Sequence, residues 1–467
     1  MNPNAAFDRD LERWLQAEAP SSEPAHLHET VIERARTVRQ RPRWVAALSP
    51  STFPRLVPEV DRSTVRVAYL LVLLALVLAV LGGAIAAGVF RPDPVSPAVW
   101  VESGALTAAR DNHTATLLPD GRVLVAGGLG VATAELYDPK TRSWTATGSM
   151  LEARENHTAT LLPDGKVLVV GGNDIAATGA AFSLGSAELY DPATGSWTAT
   201  GSMLGARVGH SATLLLDSRV LVSGGALAVL RGDRNAPGDP PAAAEVYDPA
   251  TETWTTTGSL IEPREGHTAT RLPDGRVLVA GGLGLSNPPY LTLASAELYD
   301  PGSRTWVAAG IMDAPNAVRS SEARLTATLL ADGRVLVAGD DEVNGSNPAF
   351  ADLYDPGSGT WTSTGRMIGP RDRHTATLLR DGKVLVTGGW DDLANLGNGA
   401  VATLASAEFY DPNTSSWIDA ATMDTQRALH TATLLPDGSV LVAGGTFFPD
   451  RSDELATTEL YDPGPER

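Results

Sequence analysis

One unit of sequence recurs seven times between residue 98 and residue 467, and no other property of the chain narrows its fold as far. The unit reads Arg-x-x-His-Thr-Ala-Thr-Leu-Leu-Pro-Asp-Gly, then Val-Leu-Val-x-Gly-Gly, then Ala-Glu-Leu-Tyr-Asp-Pro, then Trp. The glycine pair or its substitute falls at Gly127, Gly171, Gly224, Gly281, Gly339, Gly388 and Gly444. The tyrosine of Tyr-Asp-Pro falls at Tyr137, Tyr190, Tyr247, Tyr299, Tyr354, Tyr410 and Tyr461. Spacings between glycine pairs are 44, 53, 57, 58, 49 and 56 residues, the period of a propeller blade.

Each motif has a mechanical meaning. Asp-Gly between two short β-prone runs makes a tight hairpin, because glycine accepts positive φ without a steric penalty. Thr-Ala-Thr-Leu-Leu and Val-Leu-Val predict strands buried on both faces. Asp-Pro ends the third strand, since proline cannot donate to a ladder. Tryptophan starts the fourth and fills the wedge between blades. Trp144, Trp197, Trp254, Trp306, Trp361 and Trp417 occupy that place in six units, while the last unit reaches Tyr461-Asp462-Pro463 without one. Trp100, which precedes the first unit, is therefore expected to supply the outer strand of the final blade. The expected fold is an all-β seven-bladed propeller over 98–467.

The glycine-pair, tyrosine and tryptophan spacing resembles the kelch repeat, and the region as a whole resembles the central propeller of galactose oxidase-like proteins. That resemblance implies the fold and leaves the function open, because such propellers host many activities. The copper radical chemistry of those oxidases needs a tyrosine cross-linked to cysteine and histidines outside the repeat pattern. This chain has no cysteine, and all six histidines beyond residue 98 sit at one repeat position: His113, His157, His210, His267, His374 and His430. They are expected to satisfy backbone groups in their own blades, beside Arg110, Arg154, Arg207, Arg264, Arg371 and Arg427. No metal or other cofactor is expected. The fifth unit departs from the pattern, with Leu325 for histidine and Gly339-Asp340 for the glycine pair. Its acidic loop Asp340–Gly345 lacks the twelfth-position carboxylate of an EF-hand.

Ahead of the repeats, residues 67–90 run for 24 positions without a charge, long enough for one membrane-spanning helix, which needs ~20. A cleaved signal peptide has a shorter apolar stretch and no 66-residue preamble. Arg55, Arg62 and Arg66 flank its N-terminal end, and only Arg91 lies close on the other side, so the positive-inside rule places the N-terminus in the cytoplasm and the propeller outside. Residues 1–40 read as a cytoplasmic helical segment, with Leu11, Trp14 and Leu15 on one helical face and Val31 and Ile32 on another. Residues 41–66 form a Pro/Arg-rich juxtamembrane linker and 91–97 a Pro-rich linker to the propeller.

Net charge is -19, and residues 1–66 carry about +1, so the part beyond the apolar stretch is strongly acidic. Such a body repels phosphate backbones, which argues against nucleic acid as a partner. Function is expected on the face that collects the inter-blade loops and the long connections after each glycine pair, 173–186, 226–243, 283–295, 390–406 and 446–456. Trp390, Asp391 and Asp392 in one connection, with Phe447, Phe448 and Asp450 in the next, form a candidate ligand patch of aromatics and carboxylates. The primary expectation is a single-pass, extracytoplasmic binding module for a protein or polysaccharide, with no catalytic residues. Two alternatives stand: a carbohydrate hydrolase or mutarotase using loop carboxylates, and transmembrane signalling through the N-terminal helices. Oligomeric state is not encoded in any feature of the sequence.

Overall fold

The structure, a computed structural model, describes residues 99–464 apart from 176–180, 227–242, 285–291, 314–324, 340–348, 392–401 and 448–452. The expected spanning segment 67–90 and the N-terminal segments lie outside the described residues, and among those described no helix is long and apolar enough to cross a membrane. What is described is all β.

Seven four-stranded antiparallel sheets form the blades. Blade 1 is typical: Thr114–Leu117 innermost, then Val123–Ala126, Ala134–Asp138 and Ser143–Ala146 at the outside. Blade 7 joins the two ends of the propeller. Thr431–Leu434, Val440–Ala443 and Thr457–Asp462 come from its own repeat, and Val99–Ala105 adds the outer strand, with Trp100 opposite Tyr461 and Val99 opposite Asp462. No open sheet edge remains between the first and last blades.

Val-Leu-Val strands are completely buried, as expected for ribbons covered on both faces. The innermost Thr-Ala-Thr-Leu strands are not. Their residues are only partly buried, because one side lies against the second strand and its neighbours while the other borders the central axis. Threonines suit that mixed setting. The Asp-Gly hairpins form as predicted, with the Leu118 carbonyl accepting from Gly121 N–H at 3.0 Å and Gly121 at φ 88°.

Among the described residues the hydrophobic core is seven clusters, each shared by two adjacent blades. In one, Leu124 and Leu136 of blade 1 pack against Val167, Tyr190 and Trp197 of blade 2. In another, Leu441 and Leu460 of blade 7 pack against Val123 and Tyr137 of blade 1. The Tyr and Trp of each repeat face one another across their strands, with ring centroids 5.0 Å apart for Tyr190 and Trp197. In most repeats they also reach the preceding blade: Trp197 Nε1 donates to Gly148 O at 2.8 Å, and Tyr190 Oη meets Thr147 Oγ1 at 2.9 Å. Apolar burial holds the wedge, and these bonds fix its register.

Among the described residues, several long connections begin and end in short paired strands. Asn173–Ile175 pairs with Ala181–Ser183, Trp390–Asp391 with Ala402–Thr403, and Thr446–Phe447 with Asp453–Glu454, each a small hairpin rising from one face. In blade 4, Leu283–Gly284 pairs with Arg264–Glu265 of the incoming loop, and Leu283 also bridges Thr292.

Candidate functional site: the loop face and its buried frame

The Arg and Glu of the repeat come together beneath the loop face. Arg110 lies 2.8 Å from Glu135, and Arg154, Arg207, Arg264, Arg371 and Arg427 lie 2.6–2.8 Å from Glu188, Glu245, Glu297, Glu408 and Glu459. All twelve side chains are nearly inaccessible. A buried ion pair is tolerable only if its remaining donors and acceptors are satisfied. Most of them are: Arg154 Nη1 donates to the carbonyls of Gly171 and Ser186 at 3.0 and 3.2 Å, although the Nε atoms of Arg154, Arg371 and Arg427 have no hydrogen-bond partner. Glu188 Oε2 accepts from Leu151 N–H at 2.7 Å and Oε1 from Glu152 N–H at 3.3 Å. The same carboxylate therefore grips both its arginine and the inter-blade loop.

The arginine's own carbonyl ties the blades together. Arg154 O accepts from Gly128 N–H of blade 1 at 3.0 Å, and Arg110 O accepts from Gly445 of blade 7 at 2.9 Å. In five repeats the first glycine of the pair makes room for the next histidine: a Cβ on Gly127 would lie 2.7 Å from His157 Cε1 and 2.5 Å from Arg154 O.

The histidines serve more than their own blades: His374 Nδ1 meets Arg371 O of its own blade at 3.2 Å, as expected, but the rings also link neighbouring blades. Their Nε2 atoms cross to the preceding one. His157 meets Thr114 Oγ1 at 3.0 Å, His210 meets Thr158, His267 meets Ser211, His374 meets Thr326, His430 meets Thr375, and His113 closes the circle at Thr431. Burial, reinforced by repulsion from the neighbouring arginine, drives His113, His157, His210, His267 and His374 down to about 3. They are neutral structural links. Leu325 takes the seventh place and packs against Gly281 where a ring would otherwise lie. Asp340–Gly345, the acidic loop of this blade, lies outside the described residues.

Residues just before the inner strands adopt left-handed backbone, including Asn112, Asn156, Gly209, Gly266, Arg373 and Leu429. Several bond one another between blades, as in Asn156 N–H to Asn112 O at 3.1 Å and Gly266 N–H to Gly209 O at 2.8 Å. Beside this collar Glu454 is pushed up to about 6, first by burial and then by Asp111 and Glu155, against the pull of Arg110.

Of the six candidate ligand residues, Asp392, Phe448 and Asp450 lie outside the described residues. Trp390 is buried, with the Arg373 guanidinium 4.2 Å above its ring and Arg373 in turn 3.4 Å from Asp372. Asp391 is partly exposed beside it, and Phe447 is half-buried in the next hairpin, opposite Asp453. Trp390 thus packs as a plug within its loop, covered by a cation rather than open to a sugar ring.

The donor set does not fit the copper chemistry of the oxidase resemblance. The chain has no cysteine, the histidine Nε2 atoms are held by hydroxyls one per interface, and no group of three metal-ligating side chains converges among the described residues.

No family model matches the chain. A kelch-like protein of Aspergillus terreus, terF, is 33% identical over 130 residues, 27% of either chain. Kelch-like protein 7 of rat and of mouse is 42% identical over 64 residues, 14% of this chain and 10% of theirs. These curated relatives are thus matched over about a quarter of their length or less. Among solved structures, a fungal alcohol oxidase of the AA5 family in complex with copper superposes with a TM-score of 0.58 at 17% identity, covering 78% of this chain and 76% of its own. The chain has kelch-repeat relatives, and its seven-bladed propeller resembles the galactose oxidase-like fold.

Proposed function

We propose that this protein is a single-pass membrane protein whose propeller stands outside the cell and recognises a protein or polysaccharide through its loop face. One observation carries the recognition reading: six buried Arg–Glu pairs hold equivalent loops by the same contacts, while the residues those loops present differ from blade to blade. A fixed frame under varied tips is the arrangement of a binding surface. Protein ligands are the first expectation, since kelch propellers commonly serve as interaction modules. The membrane placement rests on the uncharged run 67–90 and the arginines before it.

Protease shaving of intact cells tests the placement. An epitope tag at the N-terminus should survive and one at the C-terminus should be lost. Protection of both, or loss of the N-terminal tag alone, contradicts it.

A further inference from the structure

We propose that the loop face over blades 1 to 4 docks a protein segment that presents aliphatic side chains alongside lysine or arginine. This deepens the recognition reading and rests on it. At one repeat position, just after the buried Met or Leu near the start of each inter-blade connection, stand Leu151, Leu204 and Ile261, 62%, 69% and 58% exposed. Equivalent positions elsewhere hold Thr107, Asp313 and Asp424, and Ile368 stands alone between two of them. Phe182, 55% exposed, rises on the same face from the small hairpin of blade 2, between the loops that carry Leu151 and Leu204. Single exposed apolar residues are ordinary on protein surfaces, but these four share one sector of the ring.

The arc is held in place. The amides of Leu151, Leu204 and Ile261 donate to Glu188, Glu245 and Glu297 at 2.7 Å each. Their side chains are thereby held outward at little entropic cost to a partner.

Charge selects the partner. In blades 2 and 4 one buried arginine stands between two carboxylates: Arg154 between Glu188 and Glu152, Arg264 between Glu297 and Glu262. Each trio leaves one negative charge, on Glu152 or Glu262, whose side chains are about half exposed beside Leu151 and Ile261. Asp174, opposite Phe182 in its hairpin, adds a third carboxylate. A basic, aliphatic segment satisfies both features, and an anionic lipid surface or an acidic peptide satisfies neither.

The test uses the full chain in neutral-lipid nanodiscs with three labelled peptides, alternating Leu/Lys, Leu/Glu and Ser/Lys, and empty nanodiscs as the blank. Leu/Lys should bind at least about tenfold more tightly than the other two. Leu151→Ser/Leu204→Ser/Ile261→Ser should lose about tenfold, and Glu152→Gln/Glu262→Gln should weaken binding and flatten its salt dependence. Leu216→Ser, exposed on the opposite face, should change nothing. Because Leu151, Leu204 and Ile261 are exposed, the melting temperature of the triple variant should stay level and mark its loss as one of contact. Equal binding of the three peptides, or an unchanged triple variant, overturns the proposal. So does a dimer of the chain that the triple variant abolishes, or tighter binding to anionic vesicles than to Leu/Lys. Shaving reports on placement separately: a shaved propeller that ignores the peptides removes this docking sector and leaves extracytoplasmic recognition standing.

Discussion

Glu188 grips Arg154 at 2.6 Å with one carboxylate oxygen and the amide of Leu151 at 2.7 Å with the other. Removing either charge strands its partner in a site almost closed to water. Glu188→Leu should cost about 3–5 kcal/mol in chemical denaturation, whereas Arg154→Met/Glu188→Leu should recover much of that loss. A single variant as stable as the parent would show that the pair is not a structural frame.

The neutral histidines predict acid sensitivity. An unfolded chain takes up histidine protons near pH 6.5, while the folded sites refuse them until about 3. Between those limits the unfolded state binds more protons, so stability falls as pH falls, by up to about 1.4 kcal/mol per pH unit for each histidine. Glu454, raised from 4.5 to about 6, acts in the opposite sense between those two values, but six histidines act together against it. The melting temperature should drop steadily from pH 6.5 to pH 4, and His157→Gln should reduce the slope. A flat profile would contradict the assignment of these rings as buried and neutral.

Backbone handedness predicts two changes of opposite sign. Ser218 occupies, at φ 71°, the hairpin position that glycine holds in the other blades, so Ser218→Gly should stabilise the protein by about 0.5–1 kcal/mol. Gly171→Ala should cost about 3 kcal/mol or more, because at φ 61° its Cβ would meet His210 Cε1 at 2.7 Å and Arg207 O at 2.8 Å. Thermal melts of the two variants check both signs.

The blades and the closing strand were readable because each repeat writes its turns with Asp-Gly and Asp-Pro and its wedge with Tyr and Trp. Trp100 without a repeat of its own, and Tyr461 without a following tryptophan, could only complete each other. The frame was harder to see. Glu135 and its equivalents sit in strands that otherwise read as apolar, and a charge repeated in a buried strand was the available sign that Arg110 and its equivalents would meet them. That the histidines cross between blades depends on the angle at which sheets pack, which no local spacing expresses. Trp390 looked like a ligand platform because an aromatic beside two carboxylates in a long connection fits that role. Its burial under Arg373 depends on the path of two separate loops.

Closure of the ring by Val99–Ala105 carries the whole account, since it fixes the blade number and brings both ends of the propeller together. The chain has no cysteine of its own, so Val99→Cys/Asp462→Cys reports on one pairing alone. Paired strand positions lie within disulfide reach, and the bond should form in air, shift the band on a non-reducing gel and raise the melting temperature. Two thiols that stay free in the folded protein, or a melting temperature unchanged by deleting residues 99–105, would contradict the closed seven-bladed ring.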